Sequence, residues 1–224
     1  MKPIIEIKDV WKIYQMGKVE VPALRGLSLN IYPKQLVVIM GPSGSGKSTT
    51  MGIIGCLDLP TKGTVKLDNK DISKMHESEL AQLRGKKIGF VFQQFNLLSH
   101  LTALDNVTIP SIFQGVPKEQ REKKARELLI SVGLRDRINH RPSEMSGGEM
   151  QRVAIARALI NDPEIILADE PTGNLDSKTG DKIIKILTDL NKKGKTVIIV
   201  THDPDIAKIS KHVFHLKDGK VIGG

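Results

Sequence analysis

The stretch Gly41-Pro42-Ser43-Gly44-Ser45-Gly46-Lys47-Ser48-Thr49 carries the residue types that a bound polyphosphate needs. Its glycines let successive backbone N–H groups turn inward around phosphate oxygens, and a helix opening at the end of the loop adds positive potential. Lys47 supplies a point charge for the β- and γ-phosphates, and the short Ser48 hydroxyl suits Mg²⁺. The stretch fits G-x-x-x-x-G-K-[ST] at every fixed position, so nucleoside triphosphate binding is expected. Further on, EIILADEP (Glu164–Pro171) ends an apolar run in two carboxylates. Asp169 can hold Mg²⁺ through water, and Glu170 can polarise an attacking water as general base. Without a phosphate loop upstream, such a pair would read as a solvated turn.

Other residues join these two groups. VIIVTHD (Val197–Asp203) ends in His202, which either reaches the γ-phosphate side or is structural. Gln93 closes IGFVFQ in the same way and offers an amide oxygen to Mg²⁺ or to water. Tyr14 presents a ring that stacks on a flat base or else packs in the sheet, while nearby Trp11 reads as packing. SGGEMQR (Ser146–Arg152) opens a second helix. Ser146 with the N–H groups of Gly147 and Gly148 forms either a second anion-binding concavity or an ordinary serine cap. Asp176 follows in GNLDS.

Chemistry at these positions needs strands that end together, because open parallel sheets bind ligands at the carboxyl ends of their strands. Gln35–Met40 is a short apolar run expected as a buried strand, and Lys87–Gln93, EIILAD and KTVIIVTHD are expected beside it. Ile4–Tyr14 partly alternates, as a half-exposed strand does. Hairpins are expected at Thr64–Ile72, turning at Asp68-Asn69, and around Asp218-Gly219. Within Arg121–Leu134, Ala125, Leu128, Leu129 and Val132 fall on one helix face, with Gly133 as the stop. Glu149–Ile160 and Ser177–Gly194 also read as helices. Alternating strands and helices imply an α/β fold with a mostly parallel sheet, into which a helical lobe from about Phe95 to Asn161 is inserted.

Composition narrows the classes. The 224 residues suit one domain, with 39% hydrophobic residues for a core. A net charge of +9 is spread among residues of both signs, and 4% aromatics is a poor supply of stacking platforms, so nucleic acid is not an expected partner. The runs LVVIM and VIIV are too short to cross a bilayer, and charges interrupt the N-terminal apolar stretch. Cys56 is the only cysteine, so it reads as a small buried hydrophobe and the chain as cytoplasmic.

Taken together, GPSGSGKST, FVFQ, MSGGEMQR, ILADEPTGNLD and VTHD stand in the order and spacing of an ABC-transporter ATPase, and the resemblance covers essentially the whole chain. It implies a P-loop NTPase core of RecA type over 1–94 and 162–224, an N-terminal antiparallel β subdomain, and a helical subdomain over about 95–161. It further implies a head-to-tail dimer with two ATP molecules at the interface, each on one subunit's phosphate loop and under the other's SGG helix. By the same likeness, Tyr14 stacks on adenine and Gln93 links Mg²⁺ to a membrane partner. Ser146, Gly147 and Gly148 contact the γ-phosphate in trans, and Asp176 is an interface acid. Glu170 is the general base and His202 the γ-phosphate switch. Met145 stands where Leu is usual and Met150 where Gln is usual.

IMGPSGSGKST, GCLDLPTKG and IGFVFQQFNLLSHLTALDNV resemble in particular the subfamily of lipoprotein-releasing systems, macrolide-type exporters and the cell-division ATPase. The expected role is therefore the energising subunit of a separate membrane permease, on the cytoplasmic face of the membrane. A regulatory ATPase acting through a membrane partner on cell-wall machinery is the alternative. DNA-repair relatives insert long coiled coils where this chain has a compact lobe. The apolar cluster Phe95, Leu97, Leu98 and Leu101 within Gln94–Val107 is the expected docking surface.

Overall fold

The computed structural model describes residues 1–223. β1 (Ile5–Met16) and β2 (Val19–Ile31) make a long antiparallel ribbon, from Ile5 opposite Ile31 to Met16 opposite Val19. β3 (Leu36–Met40) enters a different sheet and leads through the glycine loop into α1 (Lys47–Ile54). β4 (Lys62–Leu67) returns to pair with β1, then turns at Asp68 and Asn69 into the short β5 (Lys70–Asp71). Both turn residues have positive φ, which Asp and Asn tolerate better than most. α2 (Glu77–Lys87) precedes β6 (Ile88–Val91). Three helices follow: α3 (Ala103–Ile112), α4 (Lys118–Ser131) and α5 (Gly147–Leu159). The chain then alternates through β7 (Ile165–Asp169), α6 (Ser177–Lys192), β8 (Thr196–Thr201) and the one-turn α7 (Pro204–Ala207). It ends in the hairpin β9 (His212–Lys217) and β10 (Lys220–Gly223).

The ribbon belongs to a four-stranded antiparallel sheet, β2-β1-β4-β5. The larger sheet runs β10-β9-β3-β8-β7-β6, and every neighbouring pair is parallel except β10 with β9. Its central strands are buried on both faces, which is why they read as unbroken apolar runs. Strand side chains alternate between faces, so one strand feeds two cores. Val37, Ile39, Ile165, Leu167, Ile198 and Val200 face the ribbon and α1. Val38, Ile166, Val197 and Ile199 face the helical side, against Ala125, Leu129, Ile155 and Leu187. Each such buried aliphatic side chain contributes roughly 1.5–3 kcal/mol.

Two hydrogen bonds of the last hairpin tie the layers together. Arg25 N–H donates to Gly219 O at 2.9 Å, and Gly219 N–H donates to Ser45 O at 3.0 Å. The final turn thus props the glycine loop from the ribbon side.

The expected elements are present, with one correction to the middle of the chain. Helix does not begin at Phe95: residues 95–102 are irregular and α3 starts at Ala103. The buried Asn106 organises that irregular stretch, accepting from Leu98 N–H at 2.8 Å and donating to Leu98 O, Leu101 O and Thr102 O. β2 and α2 carry no clear periodic pattern and were not among the expected elements.

Candidate nucleotide-binding site

Gly41–Thr49 hangs from the carboxyl end of β3, at the centre of the large sheet. Two of its glycines have a conformation that side chains resist, with φ of 76° at Gly44 and 99° at Gly46. A Cβ at Gly46 would lie 2.8 Å from Ala23 O, and one at Gly41 would lie 2.3 Å from Leu216 O. The loop is therefore bare backbone between two packed walls. α1 opens at Gly46 with no side chain capping its first N–H groups and no acid in its first turn. Those donors suit an anion. The buried Ser45 hydroxyl also lacks a protein partner. The Lys47 ammonium folds back over the loop, donating to Gly41 O at 2.7 Å and Pro42 O at 2.9 Å. Pro42, Ser43 and Ser48 are exposed at the rim, and Thr49 is half-buried. This arrangement fits a polyphosphate.

Asp169 ends β7, one strand beyond β8, and Glu170 follows it. Burial pushes the Asp169 carboxyl upward and the Glu170 charge adds to this, while Lys47 opposes both. A divalent cation would relieve that charge crowding, and the Ser48 hydroxyl and Asp169 oxygens are the hard ligands Mg²⁺ prefers. Glu170 has φ 43°, and its N–H donates to Val200 O at 2.8 Å. Its carboxylate is held from β8: Thr201 Oγ1 donates to Oε2 at 2.9 Å, and His202 N–H donates to Oε1 at 3.0 Å. His202 Nδ1 stands 2.7 Å from the same Oε1, with the imidazole 73% exposed. In the tautomer that donates Nδ1–H to this carboxylate, Nε2 is left free for a ligand.

Gln93 lies two residues beyond β6, its amide packed on Gly173, where an added Cβ would meet Nε2 at 2.7 Å. Asn174 Nδ2 donates to Gln93 O at 2.9 Å, fixing the loop after Glu170 to the loop after β6. Tyr14 projects from β1 with its hydroxyl donating to Asp58 Oδ2 at 2.9 Å, beside Thr49. Trp11 is half-buried, its indole N–H donating to Asp9 at 3.3 Å.

Ser146 caps α5. Its hydroxyl accepts from Glu149 N–H at 3.3 Å and donates to Glu149 Oε2 at 2.9 Å, and Arg137 Nε donates to the other carboxylate oxygen at 3.0 Å. The plain serine-cap reading is thus realised within the chain. Gly147 packs near Leu175 and Phe95, and a Cβ on Gly148 would lie 2.3 Å from Thr179 Cγ2. Leu175 and Thr179 flank Asp176, which caps α6 by accepting from Thr179 N–H at 3.0 Å, Phe95 comes from the loop after β6, and none of these neighbours comes from Gly41–Thr49. The loop, acid pair, His202 and Gln93 gather at the strand ends, whereas Ser146–Gly148 faces the segment leading into α6.

Sequence reading missed Thr201, which orients Glu170, and Gln151. The buried Gln151 amide donates to Pro171 O at 2.7 Å and Phe92 O at 3.3 Å, joining α5 to both neighbouring loops. Its place in GEMQRVAIARAL gave no signal beyond a polar residue on an otherwise apolar face.

A bare glycine loop between a central strand and a helix, with an acid pair closing β7 two strands away, defines a P-loop nucleoside triphosphatase. A family profile for the ABC transporter matches residues 24–173. An uncharacterised ABC transporter ATP-binding protein of Thermotoga maritima is 53% identical over all of this chain and 95% of its own length. The macrolide export ATP-binding/permease protein MacB of Marinobacter nauticus is 48% identical over 99% of this chain, which spans only 34% of that protein. A dimeric ATP-binding cassette solved in a post-hydrolysis state with ADP and Pi superposes with a TM-score of 0.90, at 51% identity over 98% of this chain and 97% of its own. The chain belongs to the ABC transporter family, as an ATP-binding and ATP-hydrolysing cassette.

Proposed function

We propose that this cassette energises a separate membrane permease by closing head to tail with a second copy of itself around two ATP molecules. Each ATP lies on Gly41–Thr49 of one copy and beneath Ser146–Gly148 of the other, with Tyr14 stacked on the base and Asp176 at the interface. The observation that carries this reading is the placement of Ser146–Gly148. That helix start opens beside its own Asp176 segment and contributes nothing to its own phosphate loop, so a second copy can complete the site. The dimeric, ADP- and Pi-bound cassette of similar structure supports it.

Within each site Glu170, oriented by Thr201 and His202, takes the proton of the attacking water. His202 Nε2 reaches the γ-phosphate side. Ser48, Asp169 and Gln93 would hold Mg²⁺, which would neutralise developing phosphate charge. In this reading the permease supplies the membrane span and the cassette sits on its cytoplasmic face; among the described residues no helix is long and apolar enough to cross a membrane.

The permease docks in a groove of ≈ 690 Å³ lined by Arg84, Phe90, Phe92, Phe113, Gln114 and Arg157. The apolar cluster expected for docking does not line it. Leu97 packs into the helical core, Leu98 is exposed elsewhere, and of that stretch only Asn96 borders the groove.

Light scattering of Glu170→Gln tests the shared site. The amide cannot take the proton, so turnover falls by about 10²-fold or more while ATP binding survives. A dimer with ATP and a monomer with ADP is expected. A monomer with both, alone and with the permease present, overturns the shared-site reading.

A further inference from the structure

Asp58 follows α1 within GCLDLPTKG, a stretch to which no role has been given, and it grips two side chains of β1. Lys12 Nζ donates to Asp58 Oδ1 at 2.5 Å and to Leu59 O at 2.9 Å, while Tyr14 donates to Asp58 Oδ2 at 2.9 Å. Leu59 N–H adds a bond to Oδ1 at 2.8 Å. Both carboxylate oxygens are thus engaged, by three groups from two layers. The Lys12 ammonium also stands over the Tyr14 ring, 5.1 Å from its centroid.

Lys12 and Tyr14 are two apart on a strand and share one side of it. Their common anchor hangs directly from the helix that the phosphate loop opens. Asp58 N–H is itself tied to that helix, donating to Gly52 O at 3.2 Å. Thr61 strengthens the same junction, its N–H donating to Trp11 O at 2.8 Å and its hydroxyl accepting from Ile13 N–H at 3.0 Å. Burial works to raise the Asp58 carboxyl, but its bonds from Lys12, Tyr14 and Leu59 outweigh that and keep it below its ordinary value. It is therefore ionised at neutral pH, as a charged clamp requires.

We propose that Asp58 is a positioning residue for nucleotide binding: with Lys12 it fixes the Tyr14 ring at a set distance from the phosphate loop, so that base and phosphates bind together. This rests on the stacking reading of Tyr14 given above. Lys12 covers one face of the ring and leaves the other to the base. An aromatic ring free to swing would have to be ordered on each binding event, and the clamp removes that cost beforehand.

Two ligands separate the roles. ADP uses both the ring and the loop, whereas inorganic tripolyphosphate uses the loop alone. Calorimetric affinities for both are measured on wild type, Tyr14→Ala, Tyr14→Phe, Asp58→Ala and the double variant Tyr14→Ala/Asp58→Ala. Tyr14→Ala weakens ADP by about tenfold, the scale of base–aromatic stacking, and spares tripolyphosphate. Asp58→Ala and Tyr14→Phe weaken ADP by about threefold to tenfold, again sparing tripolyphosphate, and the double variant is no weaker than Tyr14→Ala alone. If Tyr14→Ala leaves ADP binding intact, the stacking reading fails and this proposal falls with it. If Tyr14→Ala weakens ADP but neither Asp58→Ala nor Tyr14→Phe does, stacking stands and the positioning role is wrong. An equal loss of tripolyphosphate affinity in Asp58→Ala would mean that Asp58 only supports α1, which also overturns it. Tyr14→Phe leaves Asp58 and its Lys12 contact in place, so the question is answered even where Asp58→Ala misfolds.

Discussion

Glu170 holds a left-handed backbone conformation that few non-glycine residues adopt, at a cost on the order of 1 kcal/mol. Donors from Thr201 and His202 meet its carboxylate, and its own N–H reaches Val200. Substituting His202 by Ala removes one of two groups on Oε1 and its outward nitrogen. ATPase turnover in His202→Ala is expected to drop by roughly 10- to 100-fold with ATP affinity within about twofold, measured by steady-state hydrolysis and nucleotide titration. Cys56 illustrates the opposite environment. Burial pushes its thiol up to about 11, with Arg84 only partly opposing. Because the folded value lies above the ordinary thiol value, burying it neutral stabilises the protein fully below that ordinary value, and this contribution is lost as pH rises toward 11. At pH 8 the native thiol should alkylate at least about 100-fold more slowly than in denaturant, followed by mass spectrometry.

At the scale of elements, what the sequence disclosed depended on whether a segment's neighbours imposed a period on it. β3, β7 and β8 read as strands because both their faces are buried, and α4 because Ala125 and Leu129 face one core. α2 buries only Leu80 among eleven residues, so no apolar stripe marks it. β2 carries Pro22 and a positive-φ Gly26, which read as breakers although a long antiparallel partner accommodates them. The phosphate loop was plain because local spacing carries its chemistry. The Asp58 clamp was not, since Lys12 and Asp58 meet only after the chain has folded across two layers. Asn106 is another tertiary feature: Asn106→Ala strips a buried side chain that serves four backbone groups of residues 98–102. A loss of about 2–4 kcal/mol in urea unfolding is expected, with the phosphate loop still able to bind ADP.

Across the whole molecule, one face gathers the nucleotide groups and another carries the apolar groove. Phe113 is 83% exposed at that groove, so replacing it disturbs no packing. On the docking proposed above, Phe113→Asp should abolish co-purification with the permease while the Glu170→Gln background still dimerises with ATP. Retained permease binding would move the docking surface elsewhere. The C-terminal hairpin has a different reach. Its turn bonds to Ser45, and Leu216 walls the loop at Gly41, so two segments far apart in the chain build one phosphate cradle. On a ribosome adding about 5–20 residues per second, the stretch between them takes on the order of ten to thirty seconds to emerge. For that interval the nascent cassette carries its glycine loop without its backstop. The complete phosphate cradle therefore forms only after translation has delivered the last hairpin and β9 has paired with β3.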